Sequence, residues 1–389
     1  MKKIQLLSLL VLLNIGVFAQ SASKYFKAGE GYYESKEYTT AIASFTKGLE
    51  LKHDHDKALN LRGLSYEGIG EHEKAAFDFK KATELKDKEA EYHYNLGRAY
   101  FNLKHYEKAV AACALAIERD KKLMAAYSTK LYTHIALIQY PAAVAVGEEA
   151  VAKEKSAETY YNLGVAQDSL MRFEDAVYSF SRAKFYASKM VEAYIGMAHA
   201  NMKLGDLPAA IKASDKSLKI EPKNIHALLV RSSIEKANHS PQKAINVISK
   251  IIAIQPKEKE YYVIRGKIYQ ELVQNQNAIA DFTKALSLKK DDYQVYYLRA
   301  KSYEMMTDYK SAIRDYEAIR TLAPYDGKAS KLYDEAKARL FELNREKNIP
   351  HITISSPEMQ HGNQLFLPKG TLLYTIKGIA NDQSKLTSI

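Results

Sequence analysis

From residue 22 to residue 326 the apolar positions recur with the spacing of one helical face, in stretches of about 13 residues separated by short polar links. The segment AEYHYNLGRAYFNLKHYEKAVAACALAIE shows the unit: two amphipathic stretches with a break at Lys104 to Tyr106. So short a break turns the second helix back along the first. YNLG occurs twice, at Tyr94 to Gly97 and at Tyr161 to Gly164, and alignment on it exposes a period of 34 residues. One phase holds Gly29, Gly63, Gly97, Leu131, Gly164, Ala198, Ser232, Gly266 and Ala300. Twelve residues after each stands an alanine: Ala41, Ala75, Ala109, Ala143, Ala176, Ala210, Ala244, Ala278 and Ala312. These two phases mark where the paired backbones come closest, because bulk at either place would separate the helices.

Other residue types follow the same period. Phe45, Phe79, Phe180, Phe282 and Tyr316 fall where space between neighbouring helices must be filled. Pro222, Pro256 and Pro324 follow second helices and stop them, whereas Pro141, Pro208 and Pro241 fall at their starts, where proline is tolerated. Asp206 and Ser240 are placed to cap. Arg62, Arg265 and Arg299 each precede the small site by one residue, and Asp78, Asp281 and Asp315 lie sixteen residues further on. This predicts three ion pairs between the two helices of a repeat. Arg231 departs from the pattern, with Val247 at the second place. The fourth repeat departs as well: Leu131 replaces the small residue, Gly147 replaces the aromatic, and Ala143 to Gly164 is 21 residues instead of 22. A local change of twist or pitch is expected there.

Repeat two carries Leu59, Gly63, Tyr66, Ala75, Phe79 and Ala82; repeat eight carries Tyr262, Gly266, Tyr269, Ala278, Phe282 and Ala285. This pattern resembles the tetratricopeptide repeat, which spaces a large residue, Leu, Gly, Tyr, Ala, Phe, Ala and Pro through one period. Tryptophan is absent; Tyr25, Leu59, Tyr160, Tyr194 and Tyr262 stand at the first large place. The resemblance implies an all-α fold: a right-handed α-α superhelix, or solenoid, of helix-turn-helix units, with nine repeats over residues 20–326. Residues 327–348 place Leu332, Tyr333, Ala336, Leu340 and Leu343 on one face and charges on the other. A C-terminal capping helix is expected there, since such arrays need a solvating end. From 349 to 389 the period changes to two, and a short β tail is expected. HITIS and TLLYTIKG read as strands, with Leu372, Tyr374 and Ile376 on one side, and KLTSI as the opening of a third. The tail resembles the start of an immunoglobulin-like sandwich, a fold of about 100 residues, and is read either as an incomplete domain or as strands that lean on the capping helix or on a partner's sheet edge.

The first residues change the picture of where the protein works. Lys2 and Lys3 precede an apolar run from Ile4 to Leu13, and Val17-Phe18-Ala19 follows. This reads as a signal peptide over residues 1–19, cleaved before Gln20. The run is short for a membrane span, and no other long apolar stretch follows. The mature chain is expected to be soluble, exported, and periplasmic or extracellular. The net charge of +11 falls to +9 without Lys2 and Lys3. The lysines are spread along the chain, which fits solvation better than a nucleic-acid surface, and export argues against nucleic acid too. Cys113 is the only cysteine, so packing and not an intrachain disulfide must hold the fold.

No nucleophile elbow, phosphate-binding loop, dinucleotide fingerprint or zinc-protease helix occurs. No catalytic residue, metal site or cofactor is expected. His53-Asp54-His55-Asp56 has the residue types of a metal site, but neighbours on a link rarely converge. Cys113 stands at the aromatic phase, where a buried inert thiol is expected.

Function then falls to surface. The resemblance implies that first helices line a concave face and meet peptides at places 2, 5, 9, 12 and 13 of each repeat. Those places give Tyr94, Arg98, Phe101, Tyr132, Tyr161 and Asp168 in repeats three to five. In repeats six to nine they give His199, Lys203, Lys236, Lys267, Gln270, Lys301 and Glu304. The first zone is aromatic with one guanidinium; the second is basic. A protein or peptide segment with aromatic anchors and acidic residues would suit both. The clamp by which some relatives grip a chaperone's C-terminal carboxylate is incomplete. Asn95 and Asn162 match one place, while Asn60, Leu64, Ser128 and Tyr132 stand where lysine and asparagine are wanted. The expected function is an exported, non-enzymatic scaffold for protein–protein interaction in a cell-envelope or secretion assembly. The alternative is the targeting arm of a larger exported enzyme whose catalytic domain lies beyond residue 389.

Overall fold

A computed structural model describes residues 21–322, 330–347, 351–356 and 377–381. These hold nineteen α-helices and two strands. The chain divides into two compact units, the first ending at Asn238 and the second beginning at His239. In the first unit the leading helices of successive pairs are α1 (21–34), α3 (Asp56–Gly68), α5 (Ala90–Asn102), α7 (Met124–Ala136), α9 (Ala157–Ser169), α11 (Val191–Leu204) and α13 (Ile225–Ala237). The helices that follow them are α2 (Tyr38–Leu51), α4 (His72–Leu85), α6 (Tyr106–Arg119), α8 (Tyr140–Lys153), α10 (Phe173–Tyr186) and α12 (Leu207–Ile220). The second unit holds α14 (Pro241–Ile254), α15 (Lys259–Glu271), α16 (Asn275–Leu288), α17 (Tyr293–Met305), α18 (Tyr309–Leu322) and α19 (Ser330–Lys347). The strands are β1 (His351–Ser356) and β2 (Lys377–Asn381). This is an all-α array of helical repeats.

Close approach within each pair explains the residue phases. All nine repeat alanines are fully buried. A Cβ added at Gly63 would lie 2.6 Å from Phe79 Cε1, so the ring occupies the space a side chain would need. The fourth repeat solves the same problem in reverse. Leu131 on α7 is buried, and a Cβ at Gly147 on α8 would meet Leu163 at 3.1 Å and Leu131 Cδ1 at 3.2 Å. Bulk has moved from the second helix to the first across one i, i+16 pair. Through this repeat α7, α8 and α9 keep the lengths of their counterparts and pack as neighbours in the same order. The missing residue is taken from the link 154–156, where Ser156 and Thr159 form a reciprocal capping box for α9.

Turns inside the pairs share one device. Lys36, Gly70, Lys104, Ile138, Met171, Gly205, His239, Val273 and Thr307 all adopt positive φ, one at the same place of every repeat. Prolines 141, 208 and 241 occupy the first turns of α8, α12 and α14, and Asp206 accepts from the Ala209 amide at 3.0 Å.

Within each unit the leading helices of neighbouring repeats touch, as α5 touches α7 and α15 touches α17. Among the described residues the following helices of neighbouring repeats do not. The leading helices therefore form the tighter inner layer, and the following helices splay outside it.

The three predicted ion pairs all form. Arg62 reaches Asp78 at 2.7 and 2.8 Å, Arg265 reaches Asp281 at 2.8 and 2.7 Å, and Arg299 reaches Asp315 at 2.8 Å twice. Each guanidinium also donates back to a hydroxyl sixteen residues earlier: Thr46, Ser249 and Thr283. Arg231 follows a variant of this rule. Its partners are Asp215, at that earlier place, and Glu235 at 2.7 Å.

Ala336, Leu340 and Leu343 of α19 pack against Ala300, Ala312, Tyr316 and Ile319. Strands β1 and β2 pair antiparallel, His351 opposite Asn381 and Ile354 opposite Gly378. The second strand thus starts at Lys377. The rest of TLLYTIKG, with Leu372, Tyr374 and Ile376, lies outside the described residues, as do KLTSI, Pro324 and residues 1–20. Tyr25 departs from its expected place in the core: it is exposed, and Phe26 beside it is buried.

Candidate functional site

On the inner layer of the first unit, α9, α11 and the start of α13 surround a cleft of about 280 Å³. Tyr161 forms one wall, its ring 5.8 Å from the buried Phe180. Burial raises the Tyr161 phenol pKa, and the Glu192 carboxylate raises it further. His199 Nδ1 lies 3.0 Å from Asp168 Oδ1 across the cleft, joining α11 to α9. His226, Ile195 and Gly196 complete the lining. Sequence reasoning named Tyr161, Asp168 and His199. It passed over Glu192 and His226, although both stand at place 2 of their repeats.

The remaining predicted residues of this unit are more occupied than the sequence suggested. Arg98 is not a free guanidinium: it is bound by the Glu67 carboxylate of the preceding leading helix. It also lies 5.4 Å from the Tyr94 ring centroid, so the pair Tyr94–Arg98 is one half-buried surface. Tyr132 donates to Asn162 Oδ1 at 2.9 Å, and Asn162 donates to Ser128 at 2.8 Å. Asn95 likewise donates to Asn60 at 2.9 Å. Much of the polar surface on these helices therefore stitches one repeat to the next. Phe101 rests half-buried, 5.8 Å from the Tyr106 ring. Lys203 and Lys236 are exposed.

In the second unit Lys267 borders a groove of about 490 Å³ with Val263, Tyr297, Leu298 and Leu332. Lys301 lies 5.5 Å above the Tyr297 ring. Tyr297 donates to Glu335 at 2.9 Å; burial, then that carboxylate, pushes the phenol up to about 12. Two predicted contact residues are structural instead. Gln270 donates to Leu298 O and Ser302 Oγ, both at 2.8 Å. Glu304 accepts from Tyr316 and, at 2.9 Å, from Arg339.

The residues that suggested chemistry have other tasks. His55 Nδ1 accepts from the Ala58 amide at 3.0 Å and caps α3, while Asp56 accepts from Tyr92 at 2.9 Å. Cys113 is fully buried against Gly97, and burial pushes its thiol up to about 12, far from the thiolate a nucleophile needs.

Residues 90–123 match one model of the tetratricopeptide repeat, and residues 56–89, 191–224 and 259–292 match another. None of the curated proteins compared matches the chain. Among solved structures, yeast Tom70 is 13% identical, with 84% of this chain and 90% of that one covered at a TM-score of 0.50. A tetratricopeptide repeat protein from Parabacteroides merdae is 15% identical over 72% of this chain and 98% of that one, at 0.48. The C-terminal part of one from Cytophaga hutchinsonii is 18% identical over 61% and 97%, at 0.49. At such identities the likeness concerns the fold alone. Four matched units, in register with a period that recurs along the described helices, show that this chain carries tetratricopeptide repeats.

Proposed function

We propose that the protein is an exported, non-enzymatic scaffold that holds segments of partner proteins on the leading-helix faces of its units. The observation that carries this reading is the cleft at Tyr161. An aromatic wall, an apolar floor and two carboxylates from three successive leading helices form a socket for one side chain of an extended segment. Asp168 and Glu192 suit an anchor that ends in a cationic group. Lys267 and Lys301 favour acidic residues on segments bound at the second unit. Export rests on Lys2, Lys3 and the apolar run behind them. On the same reading residues 20–326 make nine repeats and residues 327–348 the cap.

Co-purification from cells tests the binding claim. Tyr161→Ala with His199→Ala should lose partners that the unchanged chain retains, while the melting curve stays cooperative. An identical partner set on both proteins would show that this cleft is not the binding site. N-terminal sequencing of the mature protein should begin at Gln20; a start at Met1 would end the case for export.

A further inference from the structure

A larger groove lies on the other side of the first unit, between the following helices α10 and α12, over α11. It measures about 580 Å³. Its floor is Tyr194, Met197, Ala209 and Ala213. Its rim carries four lysines: Lys184 from α10, and Lys212, Lys216 and Lys219 from α12. The last three follow i, i+4, i+7 spacing, so they form one stripe of about 10 Å along the helix. The single carboxylate in the lining, Asp215, is held by Arg231. Among the described residues none of the four lysines has an ion-pair partner. Other following helices mix their charges: Lys80 pairs with Glu84 on α4, and Arg119 pairs with Glu118 and Asp87 around α6. On α12 the one acid is Asp215, and it pairs with Arg231 of α13 and not with a lysine of the stripe. Beside Lys184, Phe185 is 69% exposed, its ring under the Arg182 guanidinium at 4.9 Å.

We propose that this groove docks an acidic amphipathic helix of a partner protein. A stripe of glutamates at i, i+4, i+7 would run along Lys212, Lys216 and Lys219, and apolar side chains between them would enter the groove over Met197 and Ala213. The volume is that of an ordinary ligand pocket, and an apolar floor with a cationic rim is how grooves take amphipathic helices. This surface is separate from the cleft at Tyr161, so the two claims stand or fall independently.

The test is fluorescence anisotropy on the purified chain with a labelled helical peptide of glutamate and leucine in that spacing. Binding should weaken at least about tenfold between 50 and 500 mM salt, because lysine–carboxylate attraction is screened. The variant K212E/K216E/K219E should lose at least about tenfold in affinity. The Tyr161→Ala chain should bind as before, and so should K284E/K289E/K290E, which makes the same charge change elsewhere. A peptide with alanine for leucine should bind at least about fivefold more weakly. Equal loss in both lysine variants would reduce the effect to net charge and overturn the proposal. So would equal binding of the alanine peptide. Vesicles of anionic phospholipid form a separate arm. If they are retained through Lys212, Lys216 and Lys219 while the peptide is not, the occupant is a membrane surface and the proposal fails.

Discussion

At the scale of single residues, the turn inside each repeat is the clearest case of local geometry overruling residue preference. Nine residues adopt positive φ, yet only Gly70 and Gly205 are glycines. Ile138 and Val273 carry branched side chains into a backbone region that disfavours them, at φ 60° and 59°, and both are largely exposed. They gain little burial to offset the strain. Ile138→Gly should therefore stabilise the protein by about 1 kcal/mol, and Val273→Gly by a similar amount; a lower denaturation midpoint in either would refute this. His55 offers a pH-dependent case. Its ring accepts from the Ala58 amide through an unprotonated nitrogen and lies 4.2 Å from the Phe26 ring. Burial, then Lys52, lowers its pKa, while Asp56 and Glu30 oppose this. Because the folded pKa lies below the ordinary value of about 6.5, the unfolded chain takes up its proton first. The cap's contribution is full above pH 6.5 and is lost as pH falls through the folded pKa. His55→Asn should flatten this part of the stability profile. An unchanged profile would place the titration elsewhere.

At the scale of helix pairs, the arginine–aspartate bridges set register more than they add stability. Asp281 is buried, with two hydrogen bonds from Arg265. Removing one partner leaves a buried charge alone, so Arg265→Ala should cost about 3–5 kcal/mol. Replacing both, Arg265→Met with Asp281→Leu, should recover most of that loss. A double variant no better than the single one would mean that the pair itself stabilises strongly. These bridges were legible in the sequence because one repeat period fixed both ends. The role of Asp215 for Arg231 was not, since the partner sits sixteen residues before the arginine instead of after it. The exchange of bulk between Leu131 and Gly147 reads from the sequence as two separate departures for a related reason: a period compares one phase at a time, whereas packing answers to the sum of two facing side chains. In the candidate groove the sequence located the phases but not their occupation. The sequence shows Arg98 as a cation of the first zone but not that Glu67, one repeat earlier, holds it.

At the scale of the whole molecule, the described helices of each unit meet only those of their own and the adjoining repeats, so a perturbation should spread by one repeat and fade. Helix α19 makes this testable at one end of the second unit. Leu340 and Leu343 cover Tyr316 and Ile319, and Tyr316 and Arg339 both reach Glu304 across the same contact. Leu340→Glu with Leu343→Glu would bury charges against that surface and detach the helix. Amide exchange should then accelerate in α17 and α18, change less in α15 and α16, and stay the same in α3 to α6. A cooperative acceleration everywhere would show that the array unfolds as one body, and that its order depends on more than neighbour contacts. The same experiment separates this end from the outer lysine groove. Peptide binding at Lys212, Lys216 and Lys219 should survive the loss of α19, because every residue of that groove belongs to α10, α11 or α12.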